Sequence, residues 1–143
     1  MSQTYNNIID FFETTVINHG QLGDGHFFFG QPYNLVELDL KYAHIILQPI
    51  PITMTLDKNS YKFRLFYLDI VDASLNNLND VLSDGTQVIS DILNELISTN
   101  EDYFINNNFV LNNFEEKFDD LTAGWWVDIT IDTPRQINNC ITP

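Results

Sequence analysis

Apolar and polar positions alternate most clearly from Tyr61 to Val71, in the stretch YKFRLFYLDIV. Strand side chains point alternately to opposite faces. One face would carry Tyr61, Phe63, Leu65, Tyr67 and Asp69, and the other Lys62, Arg64, Phe66, Leu68 and Ile70. The first half is apolar on one side and wet on the other; from Phe66 onward both sides are apolar. This predicts a strand that enters the middle of a sheet. A polar loop follows over Asp72–Leu82. Val88, Ile89, Ile92, Leu93, Leu96 and Ile97 then fall at helical spacing, predicting an amphipathic helix over Asp84–Ile97. Ser83 or Asp84 would cap it, and Gln87 stands where the second half of a capping box belongs.

The rest of the chain is read as packing on these elements. Thr4–Asn18 has the periodicity of a helix, with Tyr5, Ile8, Ile9, Phe12 and Val16 on its core side, and Gly20 is suited to its C-terminal cap. His26–Phe29 predicts a short strand, Asn34–Leu40 an edge strand or extended connection, and Ala43–Leu47 a central strand. Pro49 and Pro51 break that strand or confine it to an edge. Ile52, Met54 and Leu56 alternate with threonines as a one-sided strand, joined through the turn residues Asp57–Ser60 to Tyr61 as a hairpin. Phe114–Phe118 alternates, Leu121–Gly124 reads as a turn, and Trp125–Asp132 as a strand. That strand would put Trp125, Val127, Ile129 and Ile131 on one face and Trp126, Asp128, Thr130 and Asp132 on the other. The expected fold is α+β: an antiparallel or mixed sheet with two helices packed on one face, in a single domain over 1–132. Residues 133–143 lack periodicity and are expected to form a C-terminal extended arm held by another surface.

Composition adds charge to this picture. The 143 residues hold 20 acidic side chains against 6 basic ones, a formal net charge of −14. Such a surface repels phosphate backbones and anionic lipids, so a conventional nucleic-acid binder is not expected. It leaves open a protein that must stay near DNA without adhering to it. The length suits one domain that buries about 70% of its unfolded surface. A single cysteine forms no internal disulfide. No apolar run approaches the roughly 18 residues of a membrane span, and no basic region followed by an apolar one opens the chain as a signal peptide would. A reducing cytoplasm is the expected site of synthesis.

Candidate chemistry is sparse. His19, His26 and His44 lie on different predicted elements without metal-ligand spacing, and read as one turn residue and two strand residues. Glu115, Glu116, Asp119 and Asp120 form the densest acidic cluster, but lack the spacing of a calcium loop and read as a solvated hairpin. Asp69, Asp72, Asp80 and Asp84 flank the central loop without a spacing that would fix a catalytic pair. The glycines are dispersed, so no phosphate-cradling loop is present. No catalytic residue, cofactor or metal is expected. Trp126 stands out because it falls on the polar face of its strand. Either it anchors an interface, or a helix or the C-terminal tail of the same chain covers it.

Several stretches taken together resemble a known family. These are YKFRLFYLDIV, then LNNLNDVLSDGTQVISDIL, then FEEKFDDLTAGWWVDITIDTP, and the ending NNCITP. The chain resembles small structural proteins of tailed bacteriophages of Bacteroidetes-type hosts, including the crAss-like phages. The shared pattern is an aromatic strand ending at Asp69, a loop with Asn76 and Asn79, the run Val81–Asp84, a hairpin motif over Phe114–Trp125, and Cys140 to Pro143. Tyr42-Ala43 stands where that family carries Tyr-Pro.

Such proteins are similar to tail-terminator, or tail-completion, proteins. The resemblance implies a non-enzymatic virion protein, assembled in the host bacterial cytoplasm. It would form a homo-oligomeric ring of six or twelve copies in the neck or tail. Its partners would be further copies of itself, the portal, other ring proteins and tail components. Genomic DNA would pass without tight binding, and no membrane is implied. Candidate interface residues are Asn76, Asn79, Asp80, Trp126, Pro134, Cys140 and Pro143. Net charge alone supports an alternative, a small phage-encoded inhibitor that mimics the charge of DNA. A metal-dependent hydrolase built on the acidic cluster is a further rival.

Overall fold

The computed structural model describes residues 5–23, 25–31, 42–72, 74, 76–98, 104–105, 108–117 and 121–134. They form an α+β fold of two helices and a mixed seven-stranded sheet. In chain order the elements are α1 (Tyr5–Ile17), β1 (Phe27–Phe29), β2 (His44–Pro49), β3 (Thr53–Met54), β4 (Lys58–Ile70), α2 (Leu78–Ser98), β5 (Phe104–Ile105), β6 (Asn112–Lys117) and β7 (Leu121–Pro134). The edge strand or extended connection expected over Asn34–Leu40 lies outside the described residues.

The long antiparallel pair β4·β7 is the spine. It runs in unbroken register from Lys58↔Pro134 to Ile70↔Thr122. β2 and β3 flank β4 on its other side, and β1 pairs parallel to β2 at that edge. β6 and β5 share the far side of β7, β6 against its first half and β5 against its second. The alternation predicted for Tyr61–Val71 holds: Tyr61, Phe63, Leu65 and Tyr67 are buried on one face, cross-strand from Ile131, Ile129, Val127 and Trp125. Side chains of both helices join this set in one core cluster, Ile8, Phe12 and Val16 from α1 and Val81, Val88, Ile89, Ile92, Leu93 and Leu96 from α2. Tyr5 stacks on Phe63 at 5.3 Å and Phe12 meets the same ring edge-on at 5.8 Å. Each large side chain buried in this way contributes about 1.5–3 kcal/mol.

Four expectations are corrected. The span Leu121–Gly124 is not a turn: it opens β7 and pairs with both β4 and β6. β4 starts at Lys58, so the turn before it tightens onto Thr55–Lys58, closed by the Thr55 amide donating to the Lys58 carbonyl at 2.8 Å. The strand expected over Ile52–Leu56 pairs only at Thr53 and Met54, and its apolar side chains are exposed rather than packed.

The fourth correction concerns the loop before α2. The helix begins at Leu78, so neither Ser83 nor Asp84 caps it, and the loop shrinks to the residues before it. Asn77 holds the capping position. Its carbonyl accepts the Val81 amide at 3.0 Å, and its side chain accepts from the Asp72 amide and donates to the Ile70 carbonyl. An asparagine there satisfies strand end and loop at once. Asp80 in the first turn favours the positive end of the helix dipole.

Candidate interaction surface

Register places the even-numbered β4 side chains on the sheet's second face. Its apolar half is built from Ile46 and Leu68, both 1% exposed, with Phe28, Tyr42, Phe66 and Phe114 half-buried around them. Among the described residues, no helix side chain belongs to this cluster. Phe66 meets Phe114 edge-on at 5.9 Å and stands cross-strand from Trp126. The other half is polar. Lys58 pairs with Asp132 at 3.6 Å, Ser60 donates to Asp132, and Lys62 donates to Thr53.

Trp126 sits where the two halves meet, half-buried, with the Arg64 guanidinium 4.1 Å above its ring. Arg64 also donates twice to the Asp128 carboxylate, at 2.7 and 3.2 Å. That hydrogen bonding raises the guanidinium's pKa further above its ordinary value. A cation over an indole ring contributes roughly 0.5–2 kcal/mol depending on its exposure. The cover over Trp126 therefore includes a neighbouring strand residue. The sequence carried no sign of this, because Arg64 and Asp128 meet only once the β4·β7 register is set.

The other candidate interface residues do not gather around Trp126. Asn76, Asn79 and Asp80 are exposed in the turn before α2 and in its first turn, beyond the Ile70 end of β4. Pro134 is exposed at the opposite end of the ladder, opposite Lys58. Twelve residue steps separate these ends, about 40 Å at strand rise. Thr133 and Pro134 belong to β7 rather than to an arm. Cys140 and Pro143 lie outside the described residues.

Carboxylates are organised by α2. Asp80, Asp84, Asp91 and Glu95 recur within a narrow stripe at helical spacing, about 22 Å long at 1.5 Å per residue. Asp91 accepts from His19 Nε2 at 2.9 Å, while His19 Nδ1 accepts the Gln21 amide, which fixes Nε2 as the protonated nitrogen. Asp84 also faces Asp69 across a small cleft of about 350 Å³ lined by Tyr67, Gln21, Leu22, Ala43 and Val88. Burial raises the Asp69 carboxyl above the ordinary range and the Asp84 charge adds to it, against the Ile70 amide, which lowers it. Burial likewise pushes the Tyr67 hydroxyl up. Among the described residues, no group of three or more histidine, cysteine or carboxylate side chains is placed to hold a metal. Of the acidic cluster, Glu115 is exposed on β6, and Asp119 and Asp120 lie outside the described residues.

Because Asp69 binds its proton more tightly folded than unfolded, its contribution favours folding below the unfolded pKa and is lost as pH rises through the folded one. Asp69→Asn is therefore expected to raise the denaturation midpoint slightly at pH 7, with the gain vanishing below about pH 3.9, the unperturbed aspartate value. The amide keeps an oxygen to accept the Ile70 N–H. Urea titrations of both proteins at pH 7 and pH 3 check this; a gain independent of pH sinks the assignment.

No protein-family model matches the chain, and no curated protein matches it significantly.

Proposed function

We propose that the chain is a structural virion subunit that assembles with copies of itself into a ring in the neck or tail of a tailed phage. The carboxylate stripe on α2 carries this reading. That helix bears four acids and no lysine or arginine, in a chain of net charge −14. A wall of like charge keeps phosphate backbones from adhering while DNA passes. The resemblance described above supplies the phage setting, the six or twelve copies, and the neighbours: portal, other ring proteins and tail components. The reading assigns no catalytic role. The two ends of the β4·β7 ladder, with Asn76, Asn79 and Asp80 at one and Pro134 at the other, suit contacts to neighbours above and below. Mass measurement of the purified protein, with proteomics of virions, tests the proposal. A strictly monomeric protein that is also missing from virions overturns it.

Trp126→Ala gives a sharper test. Removing the indole strips Arg64 of its stacking partner but leaves the Asp128 pair, so folding should lose no more than about 2 kcal/mol. Assembly should weaken at least tenfold in midpoint concentration, about 1.4 kcal/mol. Equal loss in both measurements assigns Trp126 to the fold alone.

The same stripe favours a second reading, a small inhibitor that mimics the charge of DNA. Regular carboxylates along about 22 Å of one helix suit a protein that normally grips phosphates. Competition with DNA for a DNA-binding enzyme, by a protein not packaged in virions, would select it.

A further inference from the structure

Tyr67 is 2% exposed, and among the described residues its hydroxyl has no hydrogen-bond partner. A buried tyrosine hydroxyl ordinarily finds one. On the same sheet face the Tyr61 hydroxyl accepts from Asn59 and the Trp125 indole donates to the Leu82 carbonyl. The sequence fixes where Tyr67 points. Tyr67 and Asp69 are two apart on β4 and so share the sheet face that α2 covers. Asp84 precedes Gly85, whose missing side chain lets the helix approach the Tyr67 and Trp125 rings. Tyr67, Asp69 and Asp84 thus line one cleft of about 350 Å³. Burial raises the Tyr67 hydroxyl, and the charges of Asp69 and Asp84 raise it further, so its polar end is turned toward both carboxylates.

The carboxylates are as open as the hydroxyl. Asp69 Oδ1 accepts the Ile70 amide at 2.8 Å; among the described residues Oδ2 has no partner, and neither has the Asp84 carboxylate. No lysine or arginine lines the cleft. The cations of β4 are engaged on the other sheet face, Lys58 with Asp132, Lys62 with Thr53 and Arg64 with Asp128. Two like charges therefore face each other beside a neutral phenol oxygen, with nothing to offset them.

This chemistry selects the ligand. An anion is repelled by both acids. A divalent cation takes six or more oxygen ligands or keeps its own waters, and Leu22, Ala43 and Val88, which form the rest of the wall, give it none. An alkyl stem packs on such a wall while its charged head stays with the acids. A primary ammonium presents three N–H donors and no acceptor, which suits two carboxylates and one phenol oxygen. We infer that this cleft binds a primary alkylammonium group, its N–H donors shared among Asp69, Asp84 and the Tyr67 hydroxyl and its stem lying on Leu22, Ala43 and Val88. Free alkylamines and lysine side chains carry that group alike. Such a site needs one copy of the chain only and is independent of the ring.

Titration of the full chain with n-butylammonium chloride at constant ionic strength, followed by amide nuclear magnetic resonance, tests the site. The amides of Ile70 and Gly85, next to the two acids, should shift and saturate. Asp69→Asn and Asp84→Asn should each weaken binding at least about tenfold, as loss of a charged hydrogen bond does. Tyr67→Phe keeps the ring and should weaken it at least about threefold. Glu13→Gln removes one exposed charge from α1, outside the cleft, and should change nothing. Ammonium chloride, which has no stem to bury, should bind at least about tenfold more weakly. Nα-acetyl-lysine methylamide separates the sources: affinity equal to that of butylammonium assigns the cleft to a lysine side chain of another protein, and affinity at least about tenfold lower assigns it to a free amine. Shifts that never saturate, or that persist equally in Asp84→Asn, reduce the effect to general screening and overturn the site. Saturation of the same amides by magnesium or calcium at lower concentrations than by butylammonium overturns it too.

Discussion

Gly124→Ala is expected to destabilise the fold by at least about 3 kcal/mol, above the usual range for overpacking. Gly124 lies between β4 and β6, paired with Leu68 near the Ile70 end of the β4·β7 ladder and with Phe114 on its other side, and a Cβ added to it would lie 1.7 Å from the Tyr67 carbonyl oxygen and 2.7 Å from its carbon. In an ordinary strand position the Cβ leaves the sheet plane. Here it would point into the neighbouring backbone, and a methyl group has no rotamer through which to escape. The β4 and β7 backbones would have to separate locally, breaking the ladder where Tyr67 and Leu68, both nearly fully buried, hold the two faces of the sheet. Denaturation in urea should show the loss as a lower midpoint with little change in slope. A variant within about 1 kcal/mol of wild type would falsify the close approach.

The same residue shows why parts of this fold were legible in the sequence and parts were not. Tyr61–Val71 and Trp125–Asp132 read correctly because alternation by twos needs only the strand itself. The α2 stripe read correctly because five of its six apolar positions are buried. Ala-Gly at positions 123–124 read as a turn because a glycine signals lost side-chain bulk without saying whether the chain bends there or another backbone approaches. The early start of α2 was hidden by Asn76, Asn77 and Asn79, whose short amides favour turns as readily as caps. For Ile52, Met54 and Leu56, alternation identified one apolar face but not what covers it: the pattern is the same for a packed strand and for an exposed hairpin. At the candidate surface, Trp126 was visible as an apolar residue among polar ones. Its arginine partner was not, since Arg64 lies 62 positions away and the pairing follows from register alone.

Gly85→Ala carries the second large effect, and its sign decides between two principles. In an exposed helix interior, alanine for glycine stabilises by about 1 kcal/mol through backbone entropy. Gly85 is well inside α2 but faces the sheet. A Cβ there would lie 2.7 Å from the Tyr67 ring and 2.8 Å from the Trp125 ring. Neither ring can step aside easily. Tyr67 is 2% exposed, and the Trp125 indole donates to the Leu82 carbonyl at 2.8 Å, one turn back on the same helix. The methyl group must therefore lift α2 from the sheet or push the rings off their rotamers, at roughly 1–3 kcal/mol. Packing should win, leaving the variant up to about 2 kcal/mol less stable than wild type despite the better helix former. Because Trp125 packs against this helix, its fluorescence should shift in the native state as well. A second background separates contact from propensity: in Tyr67→Ala, which removes the ring atoms nearest the new methyl, the cost of Gly85→Ala should shrink. Neighbours that share a contact are non-additive in this way. An alanine that stabilises both backgrounds equally would mean that α2 rides higher on the sheet than these distances allow. The carboxylate stripe would then be displaced with it, since Asp84 and Asp91 take their positions from the same helix.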